Sequence, residues 1–320
     1  MNAPVLVLAA RDDWPTDRIV TELTQRGTPV LRMDTADFPQ RLTVGARIDQ
    51  GHGWAGELAT EHHAVELSQV GAVYYRAPGA FQFPAEMSAP ERMFAAGQAR
   101  AGLGGVLSAL SCPRWLNHPT SAARAEYKPV QLAAAREAGL LIPPTLVTNR
   151  PEDVRQFAAE TGPLICKPLA SPVVIEGGEL KTVYTRLLSD EDLTDLRGIS
   201  VTAHLFQAWI EKTHEIRLTV VGERMFAAAI HAGSDAAHID WRSDYGSLTY
   251  TPTEVSGDVA AGVRRLMDSL GLRYGAIDLA VDQQGRVWFL EVNPTGQFDW
   301  IQGATGLPIV EAIADELEGK

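Results

Sequence analysis

The chain has 320 residues, of which 45% are hydrophobic and 7% aromatic, and its formal net charge is −12. This length and composition are typical of a globular protein built from roughly two or three α/β units. The negative charge argues against a general nucleic-acid binder, because such a protein needs basic faces. The two cysteines, Cys112 and Cys166, are too few for a disulfide scaffold. The apolar N-terminal run lacks a preceding basic segment, and no apolar run reaches the length of a membrane span. We therefore expect a cytoplasmic protein that binds neither nucleic acid nor membrane.

The first third of the chain begins with a pattern typical of a β-α-β unit. Residues 5–9 form a continuous apolar run, 17–26 have helical spacing, and Gly27 ends this helix before a second strand over 30–33. A small meander is predicted over 41–58, and the next strand ends at Arg76. Since open α/β sheets present ligands at the carboxyl ends of their strands, Arg76 is either a substrate contact or a surface arginine.

Residues 114–149 predict a strand, a turn and one helix, which Thr120 or Ser121 caps and Gly139 ends. Lys128 lies within this helix. A single lysine on a helix usually keeps its ammonium in solvent, and the spacing alone gives Lys128 no other role.

A second lysine, Lys167, interrupts an apolar strand over 162–170. An ammonium group in such a strand is costly unless it has an anionic partner. Gly177 and Gly178 follow between two strand-like runs, which first of all indicates a hairpin turn. The chain has no Walker A sequence and no G-x-G-x-x-G sequence, and this argues against P-loop and Rossmann nucleotide sites.

The next predicted strand covers 207–210, and a hairpin follows it. Side-chain alternation in that hairpin places Arg217 and Glu215 on the face opposite to the core. Without a ligand on that face, the two side chains would form a surface ion pair. The polar segment after the hairpin contains Asp240 and Arg242. These two side chains either form a structural salt bridge or bind a substrate.

A β-hairpin near the C-terminus carries acids where a core would need apolar side chains. Alternation places Phe289, Glu291 and Asn293 on one face of its second strand. A turn centred on residues 283–284 would pair Asp278 with Phe289 and make Glu291 the diagonal neighbour of Asp278. We therefore expect Asp278, Glu291 and Asn293 to converge.

Two carboxylates and an amide oxygen that lie side by side are typical of a cation site. The carboxylates repel each other unless a cation lies between them. Oxygen ligands without His or Cys suit magnesium, which commonly bridges carboxylates to substrate phosphates. The alternative is a solvated hairpin face that happens to be acidic.

The pattern of Asp278 followed by Glu291-Val-Asn293 resembles the magnesium-binding hairpin of the ATP-grasp ligases. The longer string FLEVNPTGQFDWIQGATGLPI, together with YYRAP and DWR, is similar to the graspetide synthetases, which macrocyclise ribosomally made peptides. The resemblance is clear over 114–317 and weaker before it. It implies an α/β (α+β) fold, with a pre-ATP-grasp α/β domain over 1–116, a central ATP-grasp subdomain over 117–206 and a C-terminal subdomain over 207–320.

The resemblance also implies ATP and Mg²⁺ as cofactors and a role for each candidate residue. Lys128 and Lys167 would reach the nucleotide phosphates, Gly177 and Gly178 would lie in a lid loop, and Arg217 would lie over the transferring phosphate. The remaining implied contacts are the backbone of Gln207, Ala208, Trp209 and Ile210 at the adenine, Glu211 or Lys212 near the ribose, Asp278, Glu291 and Asn293 at the metal, and Arg76, Asp240 and Arg242 at the substrate.

The implied function is a ligase that phosphorylates Asp or Glu side chains of a ribosomal precursor peptide and closes lactone or lactam rings. The implied partners are that peptide, with its leader and core, and further copies of the chain in a homo-oligomer. One alternative keeps the chemistry but joins free amino acids or adds them to a protein terminus. A further alternative is a non-catalytic nucleotide-binding protein, which would form no ADP.

Overall fold

The structure is a computed structural model that describes residues 3–51, 53–76, 78–111, 114–170, 173–177 and 179–320. Cys112 and Gly178, which the sequence singled out, lie outside the described residues. Within these ranges, no helix is both long and apolar enough to cross a membrane.

The N-terminal part contains a parallel sheet in the order β2-β1-β6-β7 and a separate antiparallel sheet of β3, β4 and β5. The predicted β-α-β unit and meander are both present. The elements are β1 (Val5–Ala9), α1 (Trp14–Gln25), β2 (Val30–Met33), β3 (Leu42–Arg47), β4 (Ala55–Thr60), β5 (Ala64–Glu66), β6 (Ala72–Arg76), α2 (Ala89–Ser108), β7 (Arg114–Leu116) and α3 (Pro119–Ala125).

The middle part contains an antiparallel sheet in the order β12-β9-β13-β8 and a hairpin, β10–β11, whose strands, among the residues that the structure describes, pair only with each other. Its elements are α4 (Lys128–Glu137), β8 (Thr145–Thr148), α5 (Pro151–Thr161), β9 (Leu164–Lys167), β10 (Val173–Glu176), β11 (Glu179–Thr182), β12 (Arg186–Leu187), α6 (Asp190–Thr194) and β13 (His204–Ala208).

The C-terminal part is built on a five-stranded antiparallel sheet in the order β16-β15-β14-β17-β18. Its elements are β14 (Lys212–Val221), β15 (Arg224–His231), α7 (Asp235–Ile239), β16 (Thr249–Thr253), α8 (Gly257–Leu270), β17 (Tyr274–Asp282), β18 (Val287–Asn293), α9 (Asp299–Thr305) and α10 (Ile309–Glu318).

Two apolar cores fix this last sheet in place. Residues of α4 and α8 pack against β14, β17 and β18 in one core. In a second core, α10 lies between the first parallel sheet and the strands β14 and β17. The shared core brings the carboxyl end of β6 next to the chain that leaves β18.

Three features of these elements differ from the predictions. The single helix expected over 114–149 is broken after Ala125 and begins again at Lys128, because Pro129 cannot donate an amide hydrogen bond and is favoured in a first helical turn. His118, rather than Thr120 or Ser121, caps the first of the two helices. The strand predicted over 207–210 instead covers His204–Ala208, so Trp209 and Ile210 follow it.

Candidate active site

Three adjacent strands place three charged side chains in one row. Arg217 of β14 lies opposite Asp278 of β17, and Asp278 lies opposite Glu291 of β18. Lys128, at the start of α4, forms an ion pair with Glu291 and extends the row by a second cation. The sheet therefore presents cation, carboxylate, carboxylate and cation side by side.

The predicted register of the β17–β18 hairpin was wrong. Asp278 pairs with Glu291 rather than with Phe289, which pairs with Leu279. There are two causes: a three-residue turn with Gly285 at φ 75°, and a bulge that inserts Leu290 between the paired positions. Phe289 is therefore fully buried in the core instead of lying beside the acids. The bulge makes the two carboxylates direct neighbours.

Asp278 is almost fully buried, at 6% exposure, and its Oδ1 accepts a hydrogen bond of 2.7 Å from Nη1 of Arg217. Burial raises the pKa of Asp278 to about 6, Arg217 opposes this rise, and the nearby Glu291 adds to it. Arg217 donates a second hydrogen bond of 3.0 Å to the carbonyl of Gln297. Its Nε is buried and has no hydrogen-bond partner in the described chain.

Glu291 has the opposite balance. Burial acts to raise the pKa of its carboxyl, but the ammonium of Lys128, with help from Lys167, outweighs burial and holds that pKa at about 2. Glu291 therefore stays ionised, whereas the neighbouring carboxyl of Asp278 binds a proton at a higher pH.

The donor set at this point fits a hard cation. Asn293 follows Glu291 by two residues on β18 and pairs with Ala276, so it lies one step further along the same strand. Two carboxylates and an amide oxygen suit Mg²⁺, which usually keeps waters or substrate oxygens as its other ligands. In the described ranges, no three His, Cys, Asp or Glu side chains form a group able to hold a metal. Such an ion here would depend on non-carboxylate oxygens as well.

The second lysine lies on the other sheet that faces this row. Lys167, at the end of β9, donates a hydrogen bond of 2.9 Å to Gln207 Oε1 on β13, and Gln207 in turn donates one of 2.9 Å to Thr145 Oγ1. Burial lowers the pKa of Lys167 to about 8, although Glu291 and Glu215 act to raise it. No carboxylate of the described residues is in contact with this ammonium, which is therefore suited to an incoming anion.

A cavity that is open to solvent lies between the two sheets. Its lining includes Lys128, Asp278 and Glu291 of the charged row and Lys167 of the facing sheet, together with an apolar end. Arg217, the fourth member of the row, is hydrogen-bonded to Asp278 and is not among the lining residues. The residues that line it are Lys128, Pro143, Ile165, Lys167, Pro168, Ala170, Thr185, Gln207, Ala208, Trp209, Ile210, Lys212, Glu215, Ile239, Asp240, Trp241, Arg242, Asp278, Ala280, Leu290 and Glu291.

The segment after β13 closes the apolar end of the cavity. The amides of Ala208 and Trp209 are already used, because they donate to the carbonyls of Pro144 and Pro163 at 2.9 and 2.8 Å. Lys212 forms an ion pair with Glu215 and donates to the carbonyl of Ile239 at 3.3 Å. The ammonium of Lys212 is therefore held by protein groups.

Asp240 and Arg242 form a salt bridge, as one of the two predicted alternatives has it, and both line the cavity. Arg242 binds Asp240 with two hydrogen bonds of 2.8 Å, and Asp240 also accepts one of 2.9 Å from the amide of Thr185. Burial acts to lower the pKa of Arg242, but the hydrogen-bonded carboxylate of Asp240 outweighs it and raises that pKa.

Arg76 and Gly177 are also absent from the lining of the cavity. Arg76 is only 3% exposed, so it is not a surface arginine. It donates to the carbonyls of Thr295 and Gly296 in the loop after β18. Gly177 has φ 62° in the turn of the β10–β11 hairpin, and all described residues of that hairpin's strands are exposed.

The sequence patterns missed two buried amides that position the row. Gln131 on α4 accepts a hydrogen bond from the amide of Val292 and donates to the carbonyl of Val292, at 3.0 and 2.9 Å. Asn117, after β7, holds the backbone of Tyr274 and Pro294 in the same way. A buried amide on an apolar helix face was the available signal for Gln131.

Comparison with known proteins gives this site its family. Residues 4–123 match the family described as the MvdD pre-ATP grasp domain. The macrocyclase MdnC from Microcystis aeruginosa MRC, solved with its precursor peptide MdnA, is 31% identical over 99% of this chain and 100% of that chain, with a TM-score of 0.86. The chain belongs to the graspetide synthetases, a branch of the ATP-grasp ligases.

Other graspetide synthetases and ligases support this assignment. A Chryseobacterium gregarium RiPP-associated ATP-grasp ligase, solved with ADP and a leader and core peptide, has a TM-score of 0.90 and 28% identity over 99% of this chain and 96% of that chain. A probable alpha-L-glutamate ligase from Xanthomonas oryzae pv. oryzae is 26% identical over 217 residues, which are 61% of this chain and 65% of that relative. The predicted ATP-grasp fold is thereby confirmed.

Proposed function

We propose that this protein is an ATP- and Mg²⁺-dependent ligase that activates Asp or Glu side chains of a ribosomal precursor peptide and closes lactone or lactam rings. The observation that carries the proposal is the row of Arg217, Asp278, Glu291 and Lys128, of which the last three line the cavity and Arg217 is hydrogen-bonded to Asp278. The membership in the graspetide synthetases supports the peptide as substrate. Solved relatives hold ADP with leader and core peptide, or the precursor MdnA.

The apolar end of the cavity would hold the adenine. The amides of Ala208 and Trp209 already have partners, whereas the amide of Ile210 has none in the described chain, so Ile210 is left to donate to the adenine edge. Glu211, the next residue along the chain, would then lie near the ribose. Its side chain is 60% exposed and accepts hydrogen bonds from Trp209 and His238. Lys212 is occupied by Glu215.

The two lysines would bind the phosphates. Lys167 has a neutral hydrogen-bond partner and a pKa of about 8, so a triphosphate oxygen would give it the charge partner that it lacks. The ammonium of Lys128 would keep its ion pair with Glu291 and donate a further hydrogen bond to a phosphate oxygen. Gly177, in the turn of the hairpin that leaves the cavity rim, would lie in the lid.

Asp278, Glu291 and Asn293 would hold Mg²⁺, with Asp278 and Glu291 directly opposite each other on neighbouring strands. When bound, the ion neutralises charge on the β- and γ-phosphates. Arg217 would direct its guanidinium at the γ-phosphoryl, because such a transfer needs cationic donors at the equatorial oxygens. Its buried Nε, which has no partner in the described chain, is free to donate to that group.

The reaction that these residues would support has two steps. A peptide carboxylate oxygen, which we place near Arg242, attacks the γ-phosphorus, and the bond to the β-phosphate oxygen breaks to release ADP. A Ser or Thr hydroxyl, or a Lys amine, of the same peptide then attacks the acyl carbon. The bond from that carbon to the phosphate oxygen breaks, phosphate leaves, and the proton of the nucleophile passes to solvent. One ring thus costs one ATP and forms with net loss of one water.

A second candidate is favoured by one observation, the similarity to probable alpha-L-glutamate ligases. Such a ligase would use the same charged row but join an amino acid to a peptide or protein terminus. The domain limits, the homo-oligomer and the cytoplasmic location stay predictions under either function.

Mass spectrometry of the candidate precursor peptide, after incubation with the protein, ATP and Mg²⁺, separates the two. The proposal predicts a loss of about 18 Da per ring, the mass of one water per condensation, and methanolysis would then distinguish esters from amides. An unchanged precursor, with ADP formed and mass added to a terminus when free amino acids are present, would support the second candidate instead.

A further inference from the structure

Four side chains donate hydrogen bonds to the backbone of the loop that follows β18. Four consecutive carbonyls, those of residues 294–297, accept hydrogen bonds from four side chains that lie in four different parts of the chain. The pairs are Asn117 with Pro294, Arg76 with Thr295 and Gly296, Tyr274 with Gly296, and Arg217 with Gln297. The last of these donors is the arginine of the charged row.

Arg76 is the charged member that reaches the loop from the N-terminal sheet. It lies at the end of β6, and its Nη1 is 2.5 Å from the carbonyl of Thr295 and 3.1 Å from that of Gly296. Its guanidinium also lies 5.9 Å from the ring centroid of Phe298, and its carboxylate partner, Asp13, is 3.3 Å away. An arginine buried to this degree is retained at a considerable desolvation cost.

The loop, in turn, is packed directly against Arg217. A Cβ placed on Gly296 would lie 2.5 Å from the Cβ of Ala276 and 3.0 Å from Nη2 of Arg217. Any movement of Gly296 toward the sheet is therefore blocked, and movement away from it is opposed by Arg76 and by the hydroxyl of Tyr274, which donates at 2.6 Å.

The plane of the Arg217 guanidinium is fixed by two acceptors, Asp278 on one side and the carbonyl of Gln297 on the other. Gln297 is the residue next to Gly296, so the position of Gly296 sets the position of that carbonyl. The orientation of Arg217 thus depends on a loop that Arg76 holds from another sheet.

We propose that Arg76, with Tyr274, is a positioning residue for catalysis: it holds the loop at Gly296 so that the carbonyl of Gln297 orients Arg217 toward the transferring phosphoryl group. This inference rests on the proposed function for the role of Arg217. It gives Arg76 a place in the reaction without any contact with substrate.

Three variants and a control test the inference. Arg76→Gln removes the charge and the hydrogen bonds that the guanidinium donates to the two carbonyls. Arg76→Lys keeps the charge, and Tyr274→Phe removes the other donor to Gly296. Arg26→Gln is the control, because Arg26 joins α1 to Asp315 and Glu318 of α10 and does not contact the loop. It reports on the loss of a partly buried arginine contact elsewhere in the protein.

The first measurement separates kcat from ATP binding. A displacement of Arg217 of about 1 Å is expected to lower kcat by about 100-fold in Arg76→Gln, while the Kd of ATP stays within about threefold because Lys128 and Lys167 are unchanged. Arg76→Lys is expected to regain about tenfold of that loss, and Tyr274→Phe to lose less than Arg76→Gln. Arg26→Gln should keep its kcat.

The second measurement does not depend on turnover. The ¹⁵N NMR signal of Nε in Arg217, identified by its loss in Arg217→Lys, is expected to shift and broaden in Arg76→Gln and to stay in place in Arg26→Gln. An Arg217 signal and a kcat unchanged in both Arg76 variants would overturn the inference. A wild-type protein that forms no rings would overturn the proposed function instead, and the NMR signal would still decide the role of Arg76.

Discussion

The strands β14, β17 and β18 and the hairpin β10–β11 are all antiparallel, yet their surroundings are opposite. The first group carries Arg217, Asp278 and Glu291, and β14 and β17 are buried along almost their whole length. In the hairpin every described strand residue is exposed, including Ile175 at 75% and Leu180 at 74%. The hairpin strands pair with each other alone in the described part of the chain, whereas β14 and β17 are central in a five-stranded sheet.

This difference shows which part of the fold is held rigidly. Phosphoryl transfer needs charges held in place within a fraction of an ångström, and neighbouring strands and a packed core supply that support. An isolated two-stranded hairpin is marginally stable, so it is suited to a segment that changes position when substrates bind. Ala170 and Thr185, which line the cavity, lie on either side of the hairpin.

The largest effect is expected when the guanidinium of Arg217 is removed from the row. Arg217→Gln should lower kcat by about 10²–10³-fold, because the equatorial oxygens lose a preorganised donor. It should also lower stability, since Asp278 keeps a buried carboxyl without its partner. Steady-state kinetics and thermal unfolding measure both effects. Arg26→Gln, which removes an arginine that is paired with α1 and α10, is the matched control, and an equal loss of kcat in both would contradict the role given to Arg217.

The second effect concerns stability alone. Leu279→Ala in β17 should lower the free energy of unfolding by about 2–5 kcal/mol, because it opens a cavity in a closed core. Leu180→Ala in the hairpin should change it by no more than about 0.5 kcal/mol, since that side chain is already in solvent. Urea unfolding of both variants measures the difference. Similar losses would mean that the hairpin is packed against something in solution.

The third effect is a pH dependence at the side of the cavity that faces the row. Lys167 has a pKa of about 8 in the free protein, so it is charged at lower pH and loses its proton as the pH rises past that value. ATP should favour the charged form. Its association constant should therefore fall between pH 8 and pH 9.5, by up to about tenfold per pH unit.

Lys167→Arg tests this assignment, because an arginine stays charged over the same range. Calorimetric titration with ATP should give a flatter pH dependence for this variant than for the wild-type protein. Equal slopes in the two proteins would assign the titration to another group.

The smallest effect is at the hairpin turn. Gly177 has φ 62°, a conformation that costs an L side chain about 1 kcal/mol. Gly177→Ala should thus speed amide hydrogen exchange in β10 and β11 and leave the protection of β14 and β17 unchanged. Hydrogen-exchange mass spectrometry resolves the two regions. Protection that is equally high in both regions of the wild-type protein would contradict the contrast itself.

Much of the fold was readable from the sequence because it depends on local patterns. The apolar run of β1 and the helical spacing that predicts α1 are local patterns of this kind. The family resemblance supplied the ATP-grasp fold. The break before Lys128 was also written in the sequence, as Pro129, but a continuous helical pattern concealed it.

The details of the site were less predictable because they depend on contacts between distant segments. A bulge at Leu290 has no composition signal, yet it moves Glu291 next to Asp278 and turns Phe289 into the core. Likewise, spacing cannot show that Arg76 meets a loop more than two hundred residues later. Bulges and buried cross-domain contacts are decided by packing rather than by local propensity.

The most direct test of the central claim uses a precursor peptide whose Asp and Glu carboxylates carry ¹⁸O. If the charged row transfers the γ-phosphoryl to a carboxylate, the bond that later breaks leaves a carboxylate oxygen on the phosphate. The account predicts one ¹⁸O atom in the phosphate released for each ring formed, as measured by mass spectrometry. Ring formation with phosphate that contains no ¹⁸O would contradict carboxylate phosphorylation, and with it the role given to Arg217, Asp278 and Glu291.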